Sequence, residues 1–220
     1  GRFHDGPVKD NVYLPNWTSE LRRDFTCRVA DILAELLPDG ITGSISTLPG
    51  GYREHFGLRT SNMEHSTSNY EETIANNLSY TADHLAGIEK KYGKKIILGV
   101  EMEPDCIWET SRQFCKFRRN YLQTENALEY IGVCYDTCHQ ELLEGGGGNG
   151  IQLLKSQNVP IAKIQLSAAL AGNTNENSEI LSNELAKFAD PVYLHQTRFF
   201  DDNNKIVAAI TKNVIPFFFM

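Results

Sequence analysis

Asp136 and His139 stand three residues apart in the stretch Gly132-Val133-Cys134-Tyr135-Asp136-Thr137-Cys138-His139-Gln140. β-Branched and aromatic residues precede the Asp, as in a strand, and the His falls where the chain turns into a loop or the first turn of a helix. At that spacing a carboxylate oxygen and a neutral imidazole nitrogen can converge on one point. They suit Mn²⁺, Zn²⁺, Fe²⁺ or Mg²⁺ as hard-to-borderline ligands, and they are also the pair that proton transfer requires. The same spacing serves a cap, the Asp holding loop amides while the His lies on the surface. Cys134 and Cys138 lack the two-residue spacing of a zinc knuckle and read as buried structural cysteines.

The elements that must position these residues alternate along the chain. Helical periodicity runs from Asp24 through Leu37 to a stop at Pro38-Asp39-Gly40, and again from a Ser68/Glu71 capping box to Gly93. Further helices are predicted around 108–122, after the glycine-rich 145–150, and through Ile180, Leu181, Leu185 and Phe188. Strand-like segments fall at 41–47, 95–103, 130–136, 160–167 and 192–197. Five strands alternating with helices predict parallel βα units. None is followed by Gly-x-Gly-x-x-Gly, which argues against a doubly wound nucleotide fold, whereas polar residues gather at several strand ends, as in a (β/α)₈ barrel.

Those strand ends are Glu101-Met102-Glu103-Pro104, Asp136 to His139, Gln165-Leu166-Ser167 and His195-Gln196-Thr197. Period-two alternation puts Glu101 and Glu103 on one face with Ile97, and Leu98, Val100 and Met102 on the other. Likewise Lys163 and Gln165 point inward, leaving Ala162, Ile164 and Leu166 outward. Glu101 and Lys163 are then expected to pair within about 4 Å, since a lone buried charge is costly.

Composition narrows the function classes. With 220 residues, 41% hydrophobic and 22% charged, the chain can bury a sizeable core. Its charge balance, 21 − 28 = −7, offers no basic footprint for a nucleic acid. Five cysteines, an odd number, suit reduced thiols in a cytoplasm-like compartment. The apolar tail 206–220 is interrupted by Lys212, Asn213 and Pro216, so no membrane span is expected. The missing initiator Met and the Phe-rich end suggest a fragment.

Together the motifs carry a resemblance. Glu-x-Glu-Pro at 101–104, Asp-Thr-Cys-His at 136–139, Lys-Ile-Gln-Leu-Ser at 163–167 and Tyr-Leu-His-Gln at 193–196 resemble the xylose isomerase-like TIM barrels, the superfamily of sugar phosphate isomerases/epimerases and endonuclease IV. More closely, Asn11-Val12-Tyr13-Leu14-Pro15-Asn16-Trp17, Gly43-Ser44-Ile45-Ser46-Thr47-Leu48-Pro49-Gly50 and residues 132–140 resemble the EboE-type metabolite traffic proteins, in a similarity reaching about residue 198. The resemblance implies an incomplete (β/α)₈ barrel over 1–200, with strands four to eight present, and an atypical tail over 201–220.

It also implies a site. A divalent ion (Mn²⁺, Zn²⁺ or Mg²⁺) would be held by Glu103, Asp136 and His139, with Gln165 where the superfamily often has a His and His195 where it has an acid. Those two departures weaken the expected metal affinity. Glu103 and His195 are the candidate catalytic groups, His195 being equally a satisfied core histidine. Glu101, Lys163, Ser167, Gln196, Tyr13 and His4 are candidate substrate contacts, while Arg118-Arg119 reads as a solvated helix face. The expected function is a cytoplasmic metabolite traffic protein, or a plastid-stroma one if organelle-encoded. It would bind a small secondary-metabolite precursor or sugar-like molecule and work with other proteins of its biosynthetic or export pathway. The alternative is a metal-dependent sugar (phosphate) isomerase/epimerase. An endonuclease IV-like nuclease ranks last, given the negative charge and the missing seventh-strand His.

Overall fold

The computed structural model describes residues 9–58, 69–144, 149–173, 178–188, 195–201 and 206–212. They belong to two units, one of Pro15–Ser167 and one of Gly1–Leu14 with Ala168–Met220. Among the described residues no helix is long and apolar enough to cross a membrane.

The first unit alternates strands and helices. Helix α1 (Glu20–Leu36) starts ahead of its apolar periodicity because the Ser19 side chain accepts from the Leu21 N–H and so caps it. Strand β1 (Gly43–Thr47) follows. Helix α2 (Tyr70–Tyr92) ends at Gly93, which takes the left-handed φ of 68° that favours glycine. Asn69 is its N-cap, and the expected capping residue Ser68 lies outside the described residues. Next come β2 (Ile96–Glu101), α3 (Ser111–Tyr121) behind a Thr110/Gln113 capping box, and α4 (Glu125–Tyr130) capped by Thr124. Six-residue α4 was not predicted from the sequence; it is too short to show helical periodicity. Strand β3 (Ile131–Asp136) leads without a loop into α5 (Thr137–Glu144), and α6 (Asn149–Ser156) precedes β4 (Ile161–Gln165).

The four strands form one parallel sheet in the order β1-β2-β3-β4. Its outer face presents Ile96, Leu98, Val100, Ile131 and Val133, all buried against a core that includes Trp108, Phe114 and Phe117. The inner face carries Ser46, Glu101, Cys134, Asp136, Lys163 and Gln165. In a flat sheet β1 and β4 would stand roughly 14 Å apart, three strand spacings. Lys163 Nζ on β4 nevertheless reaches Ser46 Oγ on β1 at 3.0 Å, so the sheet curls inward as half a barrel.

Alternation holds along β2 but not throughout β4. The β3–β4 register shifts between Val133 and Cys134, which pair with Ile161 and Lys163. Ala162 is therefore extra in the ladder, and its Cβ comes 3.2 Å from where a Gly99 Cβ would stand. It points inward, contrary to strict period two. Arg118 also departs from expectation: it is buried, and its Nη2 donates to the Leu128 carbonyl at 2.7 Å, tying α3 to α4.

The second unit contains a 3₁₀ turn (Lys9–Tyr13), α7 (Ser178–Ala186), β5 (His195–Phe200) and β6 (Ile206–Lys212). Strand β5, expected as the last parallel strand, pairs antiparallel with β6, His195 opposite Lys212 and Thr197 opposite Ile210. The described part of the apolar run, 206–212, is the partner strand of a two-stranded ribbon, and among the described residues the parallel sheet has four strands rather than five.

Candidate functional site at the carboxyl ends of the sheet

Parallel pairing brings the inner-face residues into rows. Glu101 on β2 is opposite Cys134 on β3, which is opposite Lys163 on β4; one step further along, Asp136 is opposite Gln165. Close approach of β3 and β4 depends on Gly132, where a Cβ would lie 2.3 Å from the Pro160 carbonyl oxygen. Main-chain oxygen cannot swing aside, so only glycine fits there.

The centre of the site is a hydrogen-bonded carboxylate pair. Gln165 Nε2 donates to Glu101 Oε1 at 3.0 Å and to Asp136 Oδ2 at 2.8 Å, bridging two acids on neighbouring strands. The other Asp136 oxygen, Oδ1, accepts from Ser167 Oγ at 2.5 Å and from the Cys138 N–H at 3.0 Å. Thr137 fastens the end of β4, donating to the Ser167 carbonyl at 2.6 Å while its oxygen accepts from the Ser167 N–H at 2.9 Å.

The cap expected of Asp136 is present, and it occupies only one of the two carboxylate oxygens. Oδ1 caps the start of α5 through the Cys138 amide, and Oδ2 faces the inner side of the sheet. Because the cap fixes the first turn of α5, it also aims Cys138 and His139 toward Asp136: the ligand-type atoms of these three residues lie within 4.8 Å of one another. His139 Nδ1 is buried 3.3 Å from Glu101 Oε1 but off the line of a hydrogen bond, and it has no hydrogen-bond partner.

The two carboxylates are pushed in opposite directions. Burial, reinforced by the Asp136 charge, raises Glu101 to about 7, against smaller lowering effects from Gln165 and Lys163. Burial also acts to raise Asp136, but hydrogen bonds from Ser167, Cys138 and Gln165, with the nearby His139, outweigh it and hold Asp136 below the usual carboxylate range. Burial lowers His139, although Asp136 and the Met102 main chain favour its charged form. At neutral pH the site thus holds one ionised acid and one acid near half-protonation.

The structure sorts the sequence candidates. Glu101, Asp136, Cys138, His139, Gln165 and Ser167 come together. Lys163 shares their face, yet the expected ion pair with Glu101 does not form. Its ammonium goes to Ser46, while the Glu101 carboxylate is engaged by Gln165 and approached by His139. Glu103 lies beyond the end of β2, in a turn where its N–H donates to the Trp108 carbonyl and its carbonyl accepts from Cys106, both at 3.3 Å. Tyr13, His195 and Gln196 belong to the other unit, and His4 lies outside the described residues. Cys138, expected as a buried structural cysteine, is only partly buried at the head of α5, whereas Cys134 is buried as expected; Thr137 was not among the candidates. For Cys138 the signal was there: a thiol two residues after a strand-terminal Asp and one before the His.

A divalent ion fits the side chains present. Asp136, Cys138 and His139 supply oxygen, sulfur and nitrogen in one place, and the unpartnered His139 nitrogen leaves that imidazole with coordinating capacity that no protein group uses. Gln165 commits its amide nitrogen to the two carboxylates.

No protein-family model matches the chain, and no curated protein does. Among solved structures, 3-keto-D-glucoside 4-epimerase from E. coli, in its apo form, is similar with a TM-score of 0.40 and 11% identity, over 70% of this chain and 66% of that one. The chain spans just under two thirds of that protein's length, and likeness at this TM-score decides neither fold nor activity.

Proposed function

We propose that the chain is a metabolite-handling protein of the xylose isomerase-like barrel type, the half-barrel being part of a (β/α)₈ barrel. Its inner face binds a small polyhydroxylated or sugar-like molecule and can move a proton on it, as isomerases and epimerases do. One observation carries this reading: a single amide nitrogen, Gln165 Nε2, holds Glu101 and Asp136 side by side at 3.0 and 2.8 Å. Two acids so close cannot both stay charged at low cost, so one of them is a proton carrier near neutral pH.

The roles follow from the surroundings. Glu101 takes and returns the proton. Asp136, tied down by Ser167 and the start of α5, stays ionised and orients the site. Lys163, Ser46 and Ser167 offer donors to hydroxyl groups of the bound molecule. Asp136, Cys138 and His139 would hold a divalent ion, which when bound supplies polarisation of a ligand oxygen.

The test is proton exchange. Full-length chain is incubated in D₂O with a panel of aldoses, ketoses and inositols, and NMR follows binding and deuterium uptake at carbon. Exchange that is lost in Glu101→Gln supports the isomerase-type reading. Binding without exchange leaves the carrier role expected of a metabolite traffic protein, and neither binding nor exchange overturns the proposal.

A further inference from the structure

We infer that Cys138 is a metal ligand, so that Asp136, Cys138 and His139 form a three-donor site selective for Zn²⁺ over Mn²⁺ and Mg²⁺. The inference rests on the proposed site but concerns only which ion these side chains choose.

Geometry points this way. Zinc bonds of about 2.0–2.3 Å with tetrahedral angles put donor atoms roughly 3.3–3.8 Å apart. The three side chains already have theirs within 4.8 Å of one another, so modest side-chain rotation closes the set. The Cys138 N–H donates to Asp136 Oδ1 at 3.0 Å and to Ser167 Oγ at 3.2 Å, which fixes the backbone from which its sulfur projects. Cys138 is also the one cysteine of the five that is not buried, so its thiol is reachable. His139 adds an independent sign in Nδ1, which is buried without a hydrogen-bond partner. Three protein donors and one open position is the arrangement of catalytic rather than structural zinc sites.

Chemistry then fixes the ion. A thiolate is a soft donor that Zn²⁺ and Co²⁺ accept, whereas Mg²⁺ and Mn²⁺ prefer oxygen. On binding, the Cys138 thiol releases its proton to solvent and the sulfur lone pair forms the metal bond.

Co²⁺ is the probe, because thiolate ligation gives a near-ultraviolet charge-transfer band that oxygen and nitrogen ligands do not. Full-length chain titrated with Co²⁺ is expected to develop this band and lose it on adding Zn²⁺. Cys138→Ser should bind Co²⁺ without the band and bind Zn²⁺ more weakly by more than the roughly 10–100-fold that losing an outer-shell partner costs. Cys134→Ser, on the neighbouring strand position, should keep the band. A band that survives in Cys138→Ser, Co²⁺ bound to the native chain without the band, or equilibrium dialysis finding no Zn²⁺ at all overturns the inference. These readouts do not depend on turnover. A charge-transfer band with no proton exchange keeps this inference and sinks the isomerase-type reading, and the reverse result does the opposite.

Discussion

Two ionic clusters sit on the same half-barrel, and they are built on opposite principles. In one, Arg53 Nη2 meets Glu109 Oε2 at 2.8 Å and the Cys106 carbonyl at 3.1 Å, both side chains nearly buried. There the Ile107 N–H also donates to the Gly51 carbonyl and the Arg53 N–H to the Asp105 carbonyl, so the loops after β1 and β2 are laced together. In the other, Glu101 and Asp136 share one amide, and among the described residues only the His139 ring comes within ion-pair distance of either. A cluster whose charges cancel holds loops in place. One that keeps surplus negative charge on half-buried side chains calls for a proton or a cation, and it is on this contrast that the proposed site rests.

Breaking the closed cluster should have the largest effect. Arg53→Met leaves the Glu109 carboxylate buried with its guanidinium gone, and loss of one partner of a buried pair costs about 3–5 kcal/mol. Urea unfolding should report a loss of that size, with part of it restored by adding Glu109→Leu. A loss below about 1 kcal/mol would mean that the loops are held by their main-chain bonds alone.

The open cluster should respond with the opposite sign. Glu101 has a folded value of about 7 against 4.5 as an ordinary glutamate, so the folded state binds its proton more tightly. Its contribution to stability is whole below pH 4.5 and is lost as pH rises through 7. Replacing it by Gln removes that penalty: Glu101→Gln should be more stable than the native chain at pH 8, by up to about 3 kcal/mol, with the gain vanishing toward pH 4.5. Denaturation midpoints measured at pH 4.5, 6 and 8 decide it, and equal stabilities at pH 8 would show that Glu101 ionises without strain.

A smaller effect follows at Asp136, whose value is depressed. Its stabilisation is present above the ordinary carboxylate range and is lost as pH falls. Ser167→Ala removes the 2.5 Å hydrogen bond to Oδ1, a bond to a charged group worth about 2 kcal/mol. The variant should be destabilised at pH 7 by about that much, and its acid unfolding should begin at higher pH. If the two proteins unfold at the same acid pH, Ser167 does not set the charge state of Asp136.

The difference between the clusters was only half visible in the sequence. Period two along 96–102 sorted Glu101 from Val100 and Met102 correctly, because an unbroken strand obliges alternation. Asp136 and His139 were legible because a strand end and a helix start leave few directions for side chains. Ala162 was not, since one extra residue in β4 reverses the alternation and nothing local in Pro160 to Lys163 announces a bulge. Nor was the lacing of Arg53 to Glu109, which joins residues 56 apart in the chain, 109 − 53, through a tertiary contact. The final strand misled for a related reason: 195–200 looks the same whether it closes a parallel sheet or pairs with 206–212, and pairing is decided by a partner the pattern does not name.

Lys163 sharpens the comparison most finely. If it were the partner of Glu101, its removal would act like the loss of Arg53. Instead its ammonium is bound to Ser46 Oγ and the side chain is exposed, so Lys163→Met should change stability by less than about 0.5 kcal/mol. Its charge still lowers Glu101, as one of the smaller influences on that acid. The variant should therefore move the Glu101 titration, followed by NMR of the side-chain carboxyl, to higher pH while leaving the urea midpoint at pH 4.5 unchanged. At that pH Glu101 is protonated in the fold, and a missing cation has no charge there to act on. A loss of several kcal/mol at pH 8 would instead show that Lys163 neutralises Glu101, and the open cluster would be a closed one after all.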